Sequence, residues 1–84
     1  MESNKYDIGV VEQIIRHLNS VGNDNIYGIG QRIDAKYVTS MRYVRFMRLS
    51  GYLTASKRKG LRGNTSFYYS MTVKGVALLH AFTL

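Results

Sequence analysis

Residues 47–82 read "MRLSGYLTASKRKGLRGNTSFYYSMTVKGVALLHAF", and this stretch decides the fold. Gly51 interrupts a helical pattern, and two segments rich in Tyr, Thr, Phe and Ser then flank a basic run that contains two glycines. Apolar and polar residues alternate in both segments, as they do in β-strands that pack on one face. We therefore predict a β-hairpin over 52–72 with its tip near "KGLRGN" (59–64), followed by a short helix with Thr72 as its N-cap.

Three helical segments precede the hairpin. Apolar residues recur at helical spacing over 8–19, which predicts a first helix with Asp7 as its N-cap. A short second helix is predicted to end at Asp34, which can cap the next one, although Gly28 and Gly30 disfavour helix formation. The third helix is predicted over 35–50. The stripe that we expect it to bury consists of Tyr37, Met41, Val44 and Met47.

Length and composition limit the class of protein. With 84 residues, the chain is predicted to form one domain over 1–84, with residues 1–6 flexible. It has no cysteine, which excludes disulfides and thiolate metal sites. No apolar run reaches the ~18 residues of a membrane span, and the N-terminus lacks the pattern of a signal peptide. We expect a cytoplasmic protein of the α+β class, mainly α, in the order helix–helix–helix–hairpin–helix.

The charge is both large and unevenly placed. Twelve Lys and Arg residues face five Asp and Glu residues, for a net charge of +7. Nine of the twelve cations lie between Arg32 and Arg62. Such a field attracts polyanions, nucleic acid first and an anionic membrane second, and the clustering favours a binding face over a protein that is merely basic.

The element order and one motif resemble a known fold. Residues 69–79 follow the pattern Y-x-x-T-x-K-G-x-x-L-L, which together with the glycine stop and the basic hairpin resembles a winged helix-turn-helix domain. Similar patterns occur in small regulators of the MarR, PadR and ArsR types. The resemblance implies binding of double-stranded DNA, with helix 35–50 in the major groove and the wing 52–72 on the adjacent backbone or minor groove. It also implies a homodimer.

The resemblance and the helical positions together nominate DNA contacts. Arg42 is expected to contact guanine and Thr39 a base or a phosphate. The other candidates on the recognition helix are expected to position it on the backbone, and they are Lys36, Ser40, Tyr43 and Arg45. The wing candidates, expected to hold phosphates, are Lys57, Arg58, Lys59, Arg62 and Asn64.

The final helix supplies candidate dimer contacts. We nominate Leu79, Phe82 and Leu84, and for each of them the alternative is an ordinary place in the core.

Other functions remain open from the sequence. The basic helix face and the lysines of the wing can be solvated surface that also protects strand edges. Tyr68 and Tyr69 can stack on single-stranded nucleic acid or RNA, or pack on the sheet. Phe46 and Leu49 can belong to a protein interface, which would make the domain an interaction module with a protein partner. An architectural or centromere/partition-type DNA binder would use the same contacts as a regulator.

Catalysis finds little support in the sequence. His17 and His80 lack neighbours at a metal-ligand spacing, and "GIGQRI" lacks the third glycine and the preceding strand of a dinucleotide site. We expect no enzyme activity, no cofactor and no metal.

Overall fold

The computed structural model describes residues 6–83, which form four helices and one antiparallel hairpin. Both the predicted α+β class and the predicted order of elements are confirmed. The elements are α1 (Ile8–Val21), α2 (Ile26–Ile33), α3 (Tyr37–Leu49), β1 (Leu53–Lys59), β2 (Thr65–Met71) and α4 (Val73–Phe82). The segment expected to be flexible lies outside the described residues except for Tyr6, whose ring stacks on that of Phe46 with 4.2 Å between centroids.

Two helix starts follow from the capping residues that the sequence predicts. The Asp7 carboxylate accepts a hydrogen bond from the Gly9 N–H at 2.7 Å, which caps α1. The Thr72 hydroxyl oxygen accepts one from the Gly75 N–H at 3.1 Å, which caps α4. Each bond satisfies an N–H that has no partner inside its helix.

The turn between α2 and α3 corrects one expectation. Asp34 does not cap α3: it ends α2 in the left-handed conformation, with φ of 56°. The N-cap of α3 is Lys36, which makes no side-chain capping bond, so α3 begins at Tyr37 and is shorter than predicted.

The glycines of α2 are explained by close packing. A Cβ atom on Gly30 would lie 2.7 Å from Ser40 Oγ of α3 and 3.1 Å from the Ala35 carbonyl oxygen. A Cβ atom on Gly28 would collide with the Asp24 carboxylate. The second helix is thus held close to its surroundings, and only glycine fits at both positions without a shift.

The hairpin pairs in a regular register and is anchored at its base. Its strands pair from Leu53 opposite Met71 to Lys59 opposite Thr65, and residues 60–64 form the tip. Asp24, in the α1–α2 connection, forms an isolated antiparallel bridge to Tyr69 of β2, with N···O distances of 3.1 and 2.8 Å. The predicted hairpin is confirmed, and this short third segment ties it to the helices.

The core corrects the predicted face of α3. Tyr37 and Met41 are 59% and 43% exposed, whereas Ser40 and Tyr43 are buried. Ser40 donates from Oγ to the Lys36 carbonyl oxygen at 3.0 Å, so its polar group is satisfied without water. The buried apolar residues are Val11, Ile14, Ile15, Leu18, Ile26, Ile29, Tyr43, Val44, Met47, Leu53 and Leu79.

Hydrogen bonds join the end of α3 to the start of α4. Thr72 Oγ1 donates to the Gly51 carbonyl oxygen at 2.6 Å, and the Thr72 N–H donates to the Tyr52 carbonyl oxygen at 3.0 Å. Lys74 Nζ donates to the Ser50 carbonyl oxygen at 2.9 Å. We call this set of contacts the 50–52/72–74 junction. It fixes the direction of α4 relative to α3.

Candidate nucleic-acid interface

The outward face of α3 carries arginines between apolar residues. Val38, Arg42, Arg45 and Leu49 follow one another at helical spacing and are all exposed. Their positions lie opposite the buried residues of the same helix. The helix therefore presents two guanidinium groups and two apolar side chains in a single row.

The two edges of this row have different neighbours. On one edge, Tyr37 shares a cleft with Phe67 of β2, and Met41 shares another with Tyr69. On the other edge, Phe46 stacks on Tyr6. Thus the wing lies beside α3, and Phe46 packs on the segment before α1.

Four of the six recognition-helix candidates are on the surface. Lys36, Thr39, Arg42 and Arg45 are exposed. Ser40 and Tyr43 are a correction, because they are 0% and 8% exposed and cannot reach a ligand. The Tyr43 hydroxyl accepts a hydrogen bond from the Asp7 N–H at 2.8 Å, which joins α3 to the start of α1.

The wing cations are divided between β1 and the tip of the hairpin. Lys57, Arg58 and Lys59 are the last three residues of β1, and Arg62 lies in the tip itself. All four are exposed. Successive side chains of a strand point to opposite faces, so the cations cover both faces of the wing. Asn64 is also exposed and closes the tip, since its carbonyl oxygen accepts from the Gly60 N–H at 2.6 Å.

Aromatic rings of β2 support two of these cations. The Arg58 guanidinium lies 4.3 Å from the Tyr68 ring centroid, and Lys57 Nζ lies 5.9 Å from that of Phe67. Such contacts attract a cation to the ring face while its charge stays open to solvent. The rings of Tyr68 and Tyr69 therefore have partners within the domain, because the second is half-buried and packs against the core.

The cations of α3 and the wing have no carboxylate partner within the described part of the chain. Over residues 6–83, the side-chain ion pairs within 4.0 Å are Arg16–Glu12 and His17–Asp24, both near α1. Seven arginines and lysines of α3 and the wing are therefore free to neutralise an external anion: Arg42, Arg45, Arg48, Lys57, Arg58, Lys59 and Arg62.

Two further exposed residues of α3, Arg48 and Val38, are not among the contacts nominated from the sequence. Arg48 is exposed and lines the cleft next to Tyr69. Val38 is 55% exposed on the outward row. The signal that would have located Arg48 on the surface is the Gly30–Ser40 pair, since a small residue opposite a glycine marks a close helix contact and so fixes the rotation of α3.

The nominated dimer contacts are not a free surface. Leu79 is 8% exposed and belongs to the core, and Phe82 is half-buried against it. Leu84 lies outside the described residues. The outward side of α4 instead presents Val73, Val76 and three further exposed residues, Ala77, His80 and Ala81.

The described histidines and acidic residues do not assemble a metal site. Among residues 6–83 there is no group of three or more His, Cys, Asp and Glu side chains that could hold an ion. His17 Nε2 lies 2.7 Å from Asp24 Oδ2, where the pair fastens α1 to the connection that bridges β2. In the same range, no helix has the length and apolar content to cross a membrane.

No family model and no curated protein matches the sequence. Solved structures do resemble it. A MarR family transcriptional regulator from Silicibacter pomeroyi superposes with a TM-score of 0.73 at 15% identity, covering 84% of this chain and 45% of that one. Bacillus subtilis PadR in complex with operator DNA gives 0.75 at 18% identity, covering 89% and 47%.

A shorter protein is also similar. Stf76, from the Sulfolobus islandicus plasmid-virus pSSVx, gives a TM-score of 0.68 at 14% identity and covers 82% of this chain and 91% of Stf76. The chain thus spans about half the length of the MarR-family and PadR structures and nearly the whole of Stf76. These similarities show that the chain has the winged helix-turn-helix fold.

Proposed function

We propose that this protein binds double-stranded DNA with sequence preference and acts as a transcriptional regulator, with α3 in the major groove and the wing on the adjacent backbone or minor groove. The observation that carries the proposal is the set of unpaired cations on two neighbouring elements, α3 and the wing. The fold supports it, because winged helices place these two elements on DNA. On this proposal the protein acts in the cytoplasm, and at the nucleoid if the cell is prokaryotic. The proposal assigns no reaction to the domain.

Roles within the interface follow from position. Arg42 and Arg45 lie on the outward row, where a guanidinium can donate two hydrogen bonds to the O6 and N7 atoms of guanine. Thr39 lies one turn before Tyr43 on the edge of that row, where it suits a base or phosphate contact. The cations of the wing, and Lys36 at the start of α3, suit phosphates, which position the protein without specifying a sequence.

The test is a fluorescence-anisotropy titration against a random 30-base-pair duplex across a salt series, with unlabelled RNA as competitor. If six to eight cations neutralise phosphates, log K should fall with log[salt] with a slope of about −5 to −7. Binding that resists RNA supports the proposal. A flat slope, or no binding at low salt, would overturn it. Binding that grows cooperatively with duplex length would instead indicate an architectural or partition-type binder.

We also propose that the protein is a homodimer that associates through α4. The outward side of α4 carries Val73, 88% exposed, and Val76, 40% exposed, with alanines beside them. Its one lysine, Lys74, is held at the junction by the Ser50 carbonyl oxygen. An exposed apolar face of a helix often marks an interaction surface. A second copy of this face is the partner that would bury it and would give two recognition helices for a two-fold symmetric site.

A further inference from the structure

The first half of α3 exposes two apolar side chains, Val38 and Met41, beside the polar groups of Lys36, Tyr37 and Thr39. Val38 and Met41 are 55% and 43% exposed, and the first arginine of the helix is Arg42. Exposed positions of a surface helix are ordinarily polar. Yet the N-terminal half of a recognition helix is the part that lies nearest the base edges. Apolar side chains there call for an apolar partner within the groove.

The major groove offers one apolar group, the 5-methyl group of thymine. Val38 and Arg42 are four residues apart on the same row, a separation of about 6 Å along the helix axis. Base pairs are stacked about 3.4 Å apart, so this separation spans at most about two steps along the DNA axis. A valine at one end and an arginine at the other therefore match a thymine and a guanine close together in the site.

We infer that Val38, with Met41 beside it, contacts the methyl group of a thymine within about two base pairs of the guanine that Arg42 contacts. The inference rests on the proposed function and adds to it the residues that set base preference. Val38 is the main contact because it lies on the outward row, whereas Met41 is on the wing edge and lines the cleft with Tyr69. Leu49, though 70% exposed, lies about 16 Å further along the axis, away from the base-contacting end.

The test begins with the wild-type protein and a duplex library. Tight binders are selected, and one selected site is then resynthesised with deoxyuridine in place of each thymidine in turn, which removes the methyl group and keeps the pairing. Dissociation constants are measured at one fixed salt concentration. We expect a single position close to a guanine at which the substitution weakens binding by about fourfold, which corresponds to about 0.8 kcal/mol per buried methyl-sized group.

Three variants assign that methyl contact to a residue. Val38→Ala should bind the thymidine and deoxyuridine duplexes equally at that position, because the side chain no longer reaches the methyl group. Val38→Thr retains a γ-methyl group and should restore the discrimination. Leu49→Ala, an exposed apolar change on the same row, is the matched control and should discriminate as the wild type does. Circular dichroism checks that all three are folded.

The outcomes separate the two proposals. If the wild-type protein selects a site but tolerates deoxyuridine everywhere, or if Val38→Ala keeps the discrimination, the thymine contact is wrong and DNA binding stands. If the library yields no salt-dependent binding, the proposed function and this inference both fail.

Discussion

At the scale of single residues, the contact between Gly30 and Ser40 decides which face of α3 is presented to solvent. A Cβ atom at Gly30 would lie 2.7 Å from Ser40 Oγ. Gly30→Ala should therefore force α2 away from α3 and destabilise the domain by about 1–3 kcal/mol, the usual cost of overpacking. Urea denaturation measures the change in the free energy of unfolding.

A second variant shows whether that contact is the cause. Adding Ser40→Ala to Gly30→Ala removes the hydroxyl and should recover part of the loss, although the Ala35 carbonyl oxygen at 3.1 Å remains close. Gln31→Ala, an exposed change on the same helix, should stay within about 0.5 kcal/mol of the wild type. A stable Gly30→Ala variant would contradict the close packing of these helices.

Tyr43 stabilises the fold, although it lies on a helix whose exposed side is basic. Its hydroxyl accepts from the Asp7 N–H at 2.8 Å, and its ring meets that of Tyr6 edge-on at 5.1 Å. Tyr43→Phe should lower the free energy of unfolding by about 1 kcal/mol while leaving DNA affinity unchanged. Tyr37→Phe, at an exposed position of the same helix, is the control for stability. Loss of DNA affinity in a fully folded Tyr43→Phe variant would return Tyr43 to the list of DNA contacts.

Ser40 and Tyr43 show where the prediction of the buried face of α3 fails. Counting apolar residues at helical spacing treats serine as a surface residue and assigns Tyr37 and Met41 to the core. Ser40 is buried because it is small enough to face Gly30 and bonds its own helix at Lys36. Tyr43 is buried because its polar end has a partner at Asp7. The burial of both residues depends on tertiary neighbours, which the spacing of apolar residues in the sequence does not reveal.

At the scale of elements, the wing should contribute affinity and little sequence preference. Arg58 is exposed at the end of β1 and rests on Tyr68. Replacing both Arg58 and Lys59 by Ala should weaken binding to all duplexes alike and flatten the salt slope by about two. Arg16→Ala removes one cation from α1, where Arg16 pairs with Glu12, and is the control for net charge. If the double variant lost no more DNA affinity per removed cation than Arg16→Ala does, the wing would have no specific part in binding.

The recognition helix should show the opposite behaviour. Arg42→Ala is expected to relax the preference for one base pair, at a cost of about 1–3 kcal/mol on the preferred site and little on a random one. Competition between the selected duplex and a scrambled duplex of the same composition measures this ratio. A uniform loss on both duplexes would mean that Arg42 contacts the backbone.

Elements were predictable from sequence to the extent that local signals define them. Asp7, Thr72 and the glycine-punctuated segment 59–64 are local features that fix helix starts and a hairpin, and the structure has all three. The N-cap of α3 was not predictable in this way, because Asp34 adopts the left-handed conformation and ends α2 instead of capping α3. Helical spacing did place Arg42 and Arg45 on the outward side of α3, but it could not show that Tyr37 and Met41 are exposed and that Ser40 and Tyr43 are buried.

At the scale of the whole molecule, the apolar side of α4 predicts that the domain works in pairs. Ala77 is exposed near the middle of that side. Ala77→Glu should weaken self-association by about tenfold or more, because dimerisation would then bury a carboxylate that has no hydrogen-bonding partner. Light scattering after size exclusion gives the mass in solution. Gln31→Glu adds the same charge on α2 and should remain dimeric. A wild-type protein that is monomeric throughout would overturn the dimer.

The 50–52/72–74 junction bears on how such a pair would meet the double helix. Its hydrogen bonds from Thr72 and Lys74 to Gly51, Tyr52 and Ser50 connect the start of α4 directly to the end of α3. One base pair inserted between two half-sites turns one of them by about 35° around the DNA axis. If the junction holds α4 and α3 in a fixed orientation and the subunits meet through α4, that phase error would leave one half-site unoccupied.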